Sequence, residues 1–386
     1  MEKIRTVGTV TRGIRAPIIR QGDKLDDIVT ECVIKCAESE NFSFFDRDIV
    51  GVTESLLARA QGNYVSLDAV GKDINNKFGD EVGIVFPMLS RNRFSLILEG
   101  IARGVKKCYV QLNYPSDEVG NPIANLDKMY EKGINPYSDE FTEDEYRKIF
   151  TCEERKNPFT GVDILDYYKN LSDNIEIIFS NNPAAILKYT KNVLAADIHS
   201  RFRTKEIIKK AGAEKVYSLD EILNESIDGS GYNKEYGLLG SNYSTDEVLK
   251  LFPRDGQIFV NSIQQKLLEK TGKKIEVLIY GDGAFKDPTA GIWELADPVV
   301  SPAFTDGLSG VPNELKLKFL ADSSNLSDEE LIEKIRTKNI SQKEALGTTP
   351  RKITDLIGSL CDLTSGSGDK GTPIVLIQGY FDNISS

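Results

Sequence analysis

Histidine is nearly absent from this chain of 386 residues, because His199 is the only one. A zinc site built from several histidines is therefore excluded within one chain. A Ser-His-Asp triad or a Cys-His pair would have to use His199. If the protein is an enzyme, then carboxylates, lysines, arginines, metal ions and backbone amides must carry most of its chemistry.

Long hydrophobic runs are also missing. The longest are as short as the run from Ile175 to Phe179, far below the roughly 20 apolar residues that a membrane-spanning helix needs. Residues 1–5 lack the apolar stretch of a signal peptide. The sequence therefore predicts a cytoplasmic protein with no membrane partner.

Positive charge is in deficit, since 48 Lys and Arg face 59 Asp and Glu, for a net charge of −11. A general nucleic-acid binder usually presents a basic face, so we expect no nucleic-acid partner, although a local basic pocket for a phosphorylated substrate is compatible with the balance. The five cysteines show no metal-ligand spacing, and Cys32 and Cys36 share the apolar side of a predicted helix. The pattern predicts reduced, mostly buried thiols.

What the chain does contain is an alternation of apolar strands and amphipathic helices. Its length exceeds one typical core and indicates two or three domains. Residues from about 120 to 160 lose apolar periodicity, and a β-α-β-α pattern typical of a small parallel sheet follows at 175–211. The sequence predicts a mixed α/β (α+β) fold in three parts, at 1–118, 119–256 and 257–386.

The most informative segment follows a predicted buried strand at 274–280. It places Asp282 between two glycines, with Lys286 and Asp287 shortly after. A carboxylate at a strand end suits Mg²⁺ or Mn²⁺, hard cations that take oxygen ligands and bridge phosphates. Lys286 is then positioned to neutralise phosphate charge. The alternative is a tight turn in which Asp282 accepts hydrogen bonds from turn amides.

A second segment, at 197–205, ends a strand and opens a helix. It combines His199 with Ser200, Arg201 and Arg203. Amides at a helix N-terminus and arginine side chains both favour phosphate or carboxylate, so the segment predicts an anion site. The alternative is an ordinary helix start with exposed arginines.

A third segment, at 90–93, lies between a predicted strand and a predicted helix. It contains Arg91 and Asn92 and is a further potential phosphate-binding turn.

Several of these pieces, in their order along the chain, resemble the coenzyme F-420 gamma-glutamyl ligases. Residues 15–23 (Arg-Ala-Pro-Ile-Ile-Arg-Gln-Gly-Asp) before an amphipathic helix resemble the opening of that family, and residues 53–62 retain its Ala-x-Gly frame. Asp282 and Lys286 correspond to a strand-borne Asp segment, and residues 354–379 resemble the family's end. The similarity covers about 10–115 and 270–380, so 119–256 is expected to be an insertion typical of a longer bacterial branch.

The resemblance implies a two-domain fold and a GTP- and divalent-metal-dependent ligase. Such an enzyme phosphorylates a substrate carboxylate, which the amine of L-glutamate then attacks, and the metal is Mg²⁺ or Mn²⁺. The resemblance also implies a homodimer. On this interpretation Asp282 and Asp287 bind metal, Lys286 and Arg59 are the catalytic cations on phosphate, and the nucleotide or its phosphates contact a further set: Arg91, Asn92, Ser200, Arg201 and Arg203.

Two departures from the family pattern keep other functions open. Glu54 and Arg59 stand where lysines are usual, and the stretch at 88–92 lacks an expected Asp. The first alternative is a catalytically altered homologue that binds nucleotide or regulates a partner without turnover. The second is another metal-dependent phosphoryl-transfer enzyme, and glutamate-dependent phosphate release would separate it from a ligase.

Overall fold

The computed structural model describes residues 6–89, 94–118, 120–156, 161–281, 284–286, 293–295, 301–311, 322, 326–336, 352–365 and 371–382, with the backbone alone at 284–286, 293–295, 328 and 334–336. The α-helices are α1 (Leu25–Glu40), α2 (Glu54–Gln61), α3 (Leu67–Phe78), α4 (Phe94–Gly104), α5 (Leu126–Glu131), α6 (Glu143–Ile149), α7 (Cys152–Arg155), α8 (Ile164–Lys169), α9 (Arg201–Lys210), α10 (Gly256–Thr271), α11 (Asp328–Arg336) and α12 (Ile353–Ser365).

The strands are β1 (Val10–Ile14), β2 (Ile49–Thr53), β3 (Tyr64–Ser66), β4 (Glu81–Val85), β5 (Lys107–Leu112), β6 (Phe141–Thr142), β7 (Ile175–Phe179), β8 (Asn192–Ala195), β9 (Lys215–Ser218), β10 (Asn242–Thr245), β11 (Val248–Lys250), β12 (Glu276–Tyr280), β13 (Ala284–Lys286), β14 (Trp293–Leu295), β15 (Ala303–Phe304) and β16 (Ile374–Gln378). Short 3-10 turns occupy Pro183–Lys188, Leu219–Glu221 and Asp306–Leu308.

The chain divides into two compact units. Unit 1 comprises 1–60, 255–283 and 298–386, and unit 2 comprises 61–254 and 284–297. The mixed α/β class predicted from the sequence is confirmed. The first boundary differs from the predicted one at 118, because β4 and β5 pair with β7 and β8 in one sheet and so belong with the segment that follows them.

Unit 1 is built around a five-stranded sheet in the order β1-β16-β2-β12-β15. The pair β2 and β12 is parallel, and the other neighbours are antiparallel. The central strands read as continuous apolar runs because both faces of the sheet are covered. Helices α1 and α10 contribute to the core on one face, and α12 contributes to the core on the other. Gly51 of β2 leaves room for Cys361 of α12, since a Cβ there would clash with its Sγ.

Unit 2 contains a six-stranded sheet in the order β6-β7-β5-β4-β8-β9. All neighbours are parallel except β6 and β7. The chain moves outward from β4 through β5 to β7, then returns to the other side of β4 to place β8 and β9. The strand order therefore reverses between β4 and β8, and in open α/β sheets ligands bind outside the carboxyl ends of the strands at such a switch point.

Within unit 2, helices α3 and α4 pack closely against each other. Glycines make the approach possible, since a Cβ on Gly104 would overlap the backbone carbonyl of Gly71. A three-stranded antiparallel sheet, β10-β11-β3, and the hairpin of β13 and β14 complete the strands. Within the described residues, no helix combines the length and apolarity needed to cross a membrane.

Candidate functional site

The carboxyl ends of β2 and β12 lie side by side in unit 1. Their parallel register pairs Thr53 with Tyr280, so the residues that follow, Glu54 and Gly281, leave the sheet at the same edge. Glu54 is the first residue of α2 and is 2% exposed. A carboxylate in the first turn of a helix interacts favourably with the helix dipole. The carboxyl end of β2 therefore holds a buried carboxylate beside the carboxyl end of β12, the strand that precedes Asp282 in the sequence.

Arg59 lies on α2 in the same unit and is exposed. Its Nε donates a hydrogen bond of 2.7 Å to the carbonyl oxygen of Ile19. This contact fixes one side of the guanidinium. The predicted role of Arg59 on phosphate stays a prediction.

The metal-site prediction falls on residues outside the described parts of the chain, because Asp282 and Asp287 lie there, as do Arg91 and Asn92. Lys286 ends β13, opposite Trp293 in the hairpin, with only its backbone described. Among the residues that the structure describes, no three or more His, Cys, Asp or Glu side chains are grouped as a metal would require. The one described carboxylate at the carboxyl ends of β2 and β12, that of Glu54, has the oxygen donors that Mg²⁺ and Mn²⁺ prefer.

The anion site predicted at 197–205 lies in unit 2, where β8 leads into α9. Ser200 is exposed at the N-cap of α9 and makes no capping hydrogen bond through its side chain. Arg201 turns back on the protein, donating to the carbonyl oxygen of Ile198 and placing Nε 3.2 Å from Asp220 Oδ1 in an ion pair without hydrogen-bond geometry. Arg203 is exposed. The structure thus keeps the three residues at one helix start but commits Arg201 to internal partners.

The backbone amides of this turn already bind an anion, the carboxylate of Glu118. The amide of Ile198 donates to Glu118 Oε1 at 2.5 Å, and the amide of His199 donates to Oε2 at 3.2 Å. Glu118 comes from the loop after β5, so this loop crosses the end of β4 to reach β8. The neighbouring Asp117 holds the crossing, because its Oδ2 accepts a 2.9 Å hydrogen bond from the amide of Leu89 after β4.

Asp197 begins the same turn and is 2% exposed. Its Oδ2 accepts a 2.8 Å hydrogen bond from Thr204 Oγ1, and its Oδ1 has no hydrogen-bond partner within the described structure. Burial raises the pKa of Asp197 to about 6, with the nearby charge of Glu118 adding to the rise and Thr204 and Arg201 opposing it. Burial of a carboxylate favours either its protonation or a cationic partner.

Sequence reasoning missed Glu54 as a site residue and missed Glu118 altogether. A signal for Glu54 existed, because a carboxylate directly after an apolar strand and at a helix start is a typical strand-end position. For Glu118 no local pattern suffices, since its partners are amides 80 residues away along the chain.

The comparisons with known proteins agree with this architecture at the level of the family. The family model described as F420-0:Gamma-glutamyl ligase matches residues 13–379, nearly the whole chain. A search of curated proteins finds no match. The chain therefore belongs to the F420-0:gamma-glutamyl ligase family, whose members are ligases that form gamma-glutamyl bonds.

Proposed function

We propose that the protein is a GTP- and divalent-metal-dependent ligase that joins the amine of L-glutamate to a small-molecule carboxylate. The observation that carries the proposal is the parallel pair β2–β12, which brings the buried Glu54 to the strand end that Asp282 follows. Family membership supplies the bond type. The nucleotide, the metal and the acceptor are the parts that the experiments below must test.

The chemistry needs activation, because a carboxylate is a poor acceptor for an amine. Transfer of the γ-phosphoryl group of GTP to a carboxylate oxygen gives an acyl phosphate and GDP. The glutamate amine then attacks the acyl carbon, a C–N bond forms, the C–O bond to phosphate breaks, and the amine releases a proton. Cationic side chains stabilise the charge on the phosphoryl oxygens, and we assign this role to Lys286 and Arg59.

Mg²⁺ or Mn²⁺, when bound, would neutralise charge on the triphosphate. Asp282 and Asp287 are the proposed ligands, and Glu54 joins them because it is buried at the same strand edge. The nucleotide contacts proposed for Arg91, Asn92, Ser200, Arg201 and Arg203 belong to the same hypothesis.

A second candidate is a homologue that binds nucleotide without turnover. The specific observation in its favour is that Glu54, at a position where the resemblance implies a lysine, is a buried carboxylate. A negative charge there would oppose a phosphate unless a cation is bound between them. This candidate predicts nucleotide binding without glutamate-dependent phosphate release.

The first test is a thermal-shift titration with GTP, ATP and GDP, each with and without Mg²⁺ or Mn²⁺. A ligand that binds only the folded state stabilises it by about 2.7 kcal/mol at a hundredfold excess over its Kd. A metal-dependent shift specific to GTP supports the ligase and leads to a screen of acceptor carboxylates with labelled glutamate. No shift with any nucleotide would overturn the proposal.

The assigned residues are tested by Asp282→Asn and Glu54→Gln. Both variants should lose metal-dependent turnover while the circular dichroism spectrum is unchanged. Asp306→Asn is the matched control, because Asp306 is an exposed acidic residue of unit 1. Wild-type turnover in Asp282→Asn would show that Asp282 is not a metal ligand. Light scattering after size exclusion tests the proposed homodimer.

A further inference from the structure

A cavity of about 750 Å³ lies between β1 and α1 in unit 1. Residues 12–15 line it from the side of β1, and α1 contributes Cys32, Lys35, Cys36, Ser39 and Glu40. The proposed ligase chemistry uses none of these side chains. Cys32 and Cys36 are free and half-buried, and they pack against the core of unit 1 while also lining the cavity. Two thiols of one helix therefore face the same space.

The spacing of the two cysteines limits what their sulfurs can do together. Residues four apart on a helix lie on one face, with Cβ atoms about 5–6 Å apart. A disulfide needs Cβ atoms about 3.5–4.5 Å apart, so Cys32 and Cys36 do not form one without distorting α1. Metal–thiolate bonds of about 2.3 Å hold two sulfurs about 4.6 Å apart when the ion lies in line between them. The pair is therefore spaced for one ion between two sulfurs.

The charges around the cavity decide which kind of ion fits. Among the described residues that line it, one is an anion, Glu40, and three are cations, Arg12, Arg15 and Lys35. Burial raises the pKa of both thiols, while one cation opposes the rise at each of them, Lys35 at the first and Arg12 at the second. Two thiolates on a monovalent ion carry a net charge of −1, which a cationic lining stabilises.

A zinc site fits this place less well. Zn²⁺ in a structural site takes four ligands, and the described residues hold no third His, Cys, Asp or Glu grouped with the pair as a metal would require. The guanidinium and ammonium groups that line the cavity are donors only and do not ligate a metal. An ion that is satisfied by two soft ligands is the one that remains.

We propose that Cys32 and Cys36 form a two-coordinate site for a soft monovalent cation, Cu(I). Soft thiolate ligands select Cu(I) among the metals available to proteins. Binding replaces two S–H bonds with two Cu–S bonds and releases two protons, while copper stays in the +1 state. The site is separate from the proposed site for Mg²⁺ or Mn²⁺, which take oxygen ligands.

The test is a competition for Cu(I) between the full chain and bicinchoninate, a chromogenic chelator, without oxygen and without nucleotide. Cu(I) is supplied as its bicinchoninate complex, and the loss of the colour of that complex measures transfer to the protein. The wild type should take up one Cu(I) per chain. Cys32→Ser and Cys36→Ser should each abolish the uptake, because one thiolate alone does not hold the ion. Cys152→Ser is the matched control, since it removes an exposed thiol of unit 2, and it should behave as the wild type.

The role of the charged lining is tested by Lys35→Gln. The side chain of Lys35 is 73% exposed, so the substitution should leave the fold intact. It should weaken Cu(I) binding by about two- to fivefold, the size of effect expected for a charge pair near the surface. Lys270→Gln, which removes an exposed lysine of α10, should leave the affinity unchanged.

Three results would overturn the proposal. The first is that the chain takes up no Cu(I) from the chelator, which would make the cysteines packing residues only. The second is uptake that survives Cys32→Ser or Cys36→Ser. The third is that Zn²⁺ binds as tightly as Cu(I) and with the same dependence on both cysteines. Alanine replaces serine at either position if the serine variant does not fold. The inference stands apart from the proposed ligase, since the assay requires neither GTP nor turnover.

Discussion

Asp197→Asn should make the protein more stable at neutral pH although it removes a native carboxylate. The ordinary pKa of an aspartic acid is about 3.9, and that of Asp197 in the folded protein is about 6 because the side chain is buried and faces Glu118. The folded state therefore holds the proton more tightly than the unfolded state. Asparagine has nearly the same shape and keeps an oxygen for the Thr204 hydroxyl, but it carries no charge to bury.

The sign and size follow from proton linkage. Between about pH 4 and pH 6 the folded state binds more protons than the unfolded state, so the free energy of unfolding falls as pH rises through this window. The contribution is fully present below the unfolded pKa and is lost above the folded one. A difference of about 2 pKa units corresponds to about 3 kcal/mol, an upper bound because the folded structure can relax around the charge.

The assay is urea unfolding followed by circular dichroism at a series of pH values. Asp197→Asn should exceed the wild type by about 1–3 kcal/mol at pH 7.5, and the difference should shrink towards zero near pH 4. Asp173→Asn removes an exposed carboxylate of unit 2 and should show no such trend. A stability difference that is independent of pH, or larger in acid than at neutral pH, would refute the reasoning.

Three further predictions concern packing and thiols. Asp163→Ala leaves Arg155 as an unpaired buried charge after loss of a 2.9 Å ion pair, so it should lower the unfolding free energy by about 3–5 kcal/mol; an unchanged urea midpoint would contradict this. Gly104→Ala should cost about 1–3 kcal/mol, because its Cβ meets the backbone of α3; stability equal to the wild type would show that α3 and α4 can separate. Iodoacetamide should alkylate the exposed Cys152 before Cys108, because burial raises the pKa of Cys108 to about 12. Peptide mass spectrometry measures the order of labelling, and early labelling of Cys108 would show that the core of unit 2 opens.

The elements that the sequence predicted well are those with their own local signal. The run from Ile175 to Phe179 is β7 with the same bounds, and the predicted strand at 274–280 contains β12. The predicted helix that carries Cys32 and Cys36 is α1. Each has enough consecutive apolar residues, or enough helical periodicity, to be recognised without its neighbours.

The elements that the sequence did not predict depend on distant partners. Strand β1 contains an arginine and a glycine and becomes a strand by pairing with β16 at the other end of the chain. The domain boundary after residue 60 was not predicted for the same reason. The apolar runs of β4 and β5 do not reveal which sheet these strands join. Glu118 is the equivalent case at the site, since only the crossing loop brings it to the amides after β8. Asp282 and Lys286, predicted from local pattern and resemblance, remain predictions.

The discontinuous course of unit 1 has a consequence for biosynthesis. Its sheet pairs β2 with β12 and β16, and β1 with β16, across all of 61–254. On the ribosome, β2 therefore emerges long before either of its neighbours, as an apolar strand with two unpaired edges. Unit 2 has nearly all of its strands in one continuous stretch and is able to fold during that interval. We therefore expect the sheet of unit 1 to form only after the last of its strands, β16, has left the ribosome.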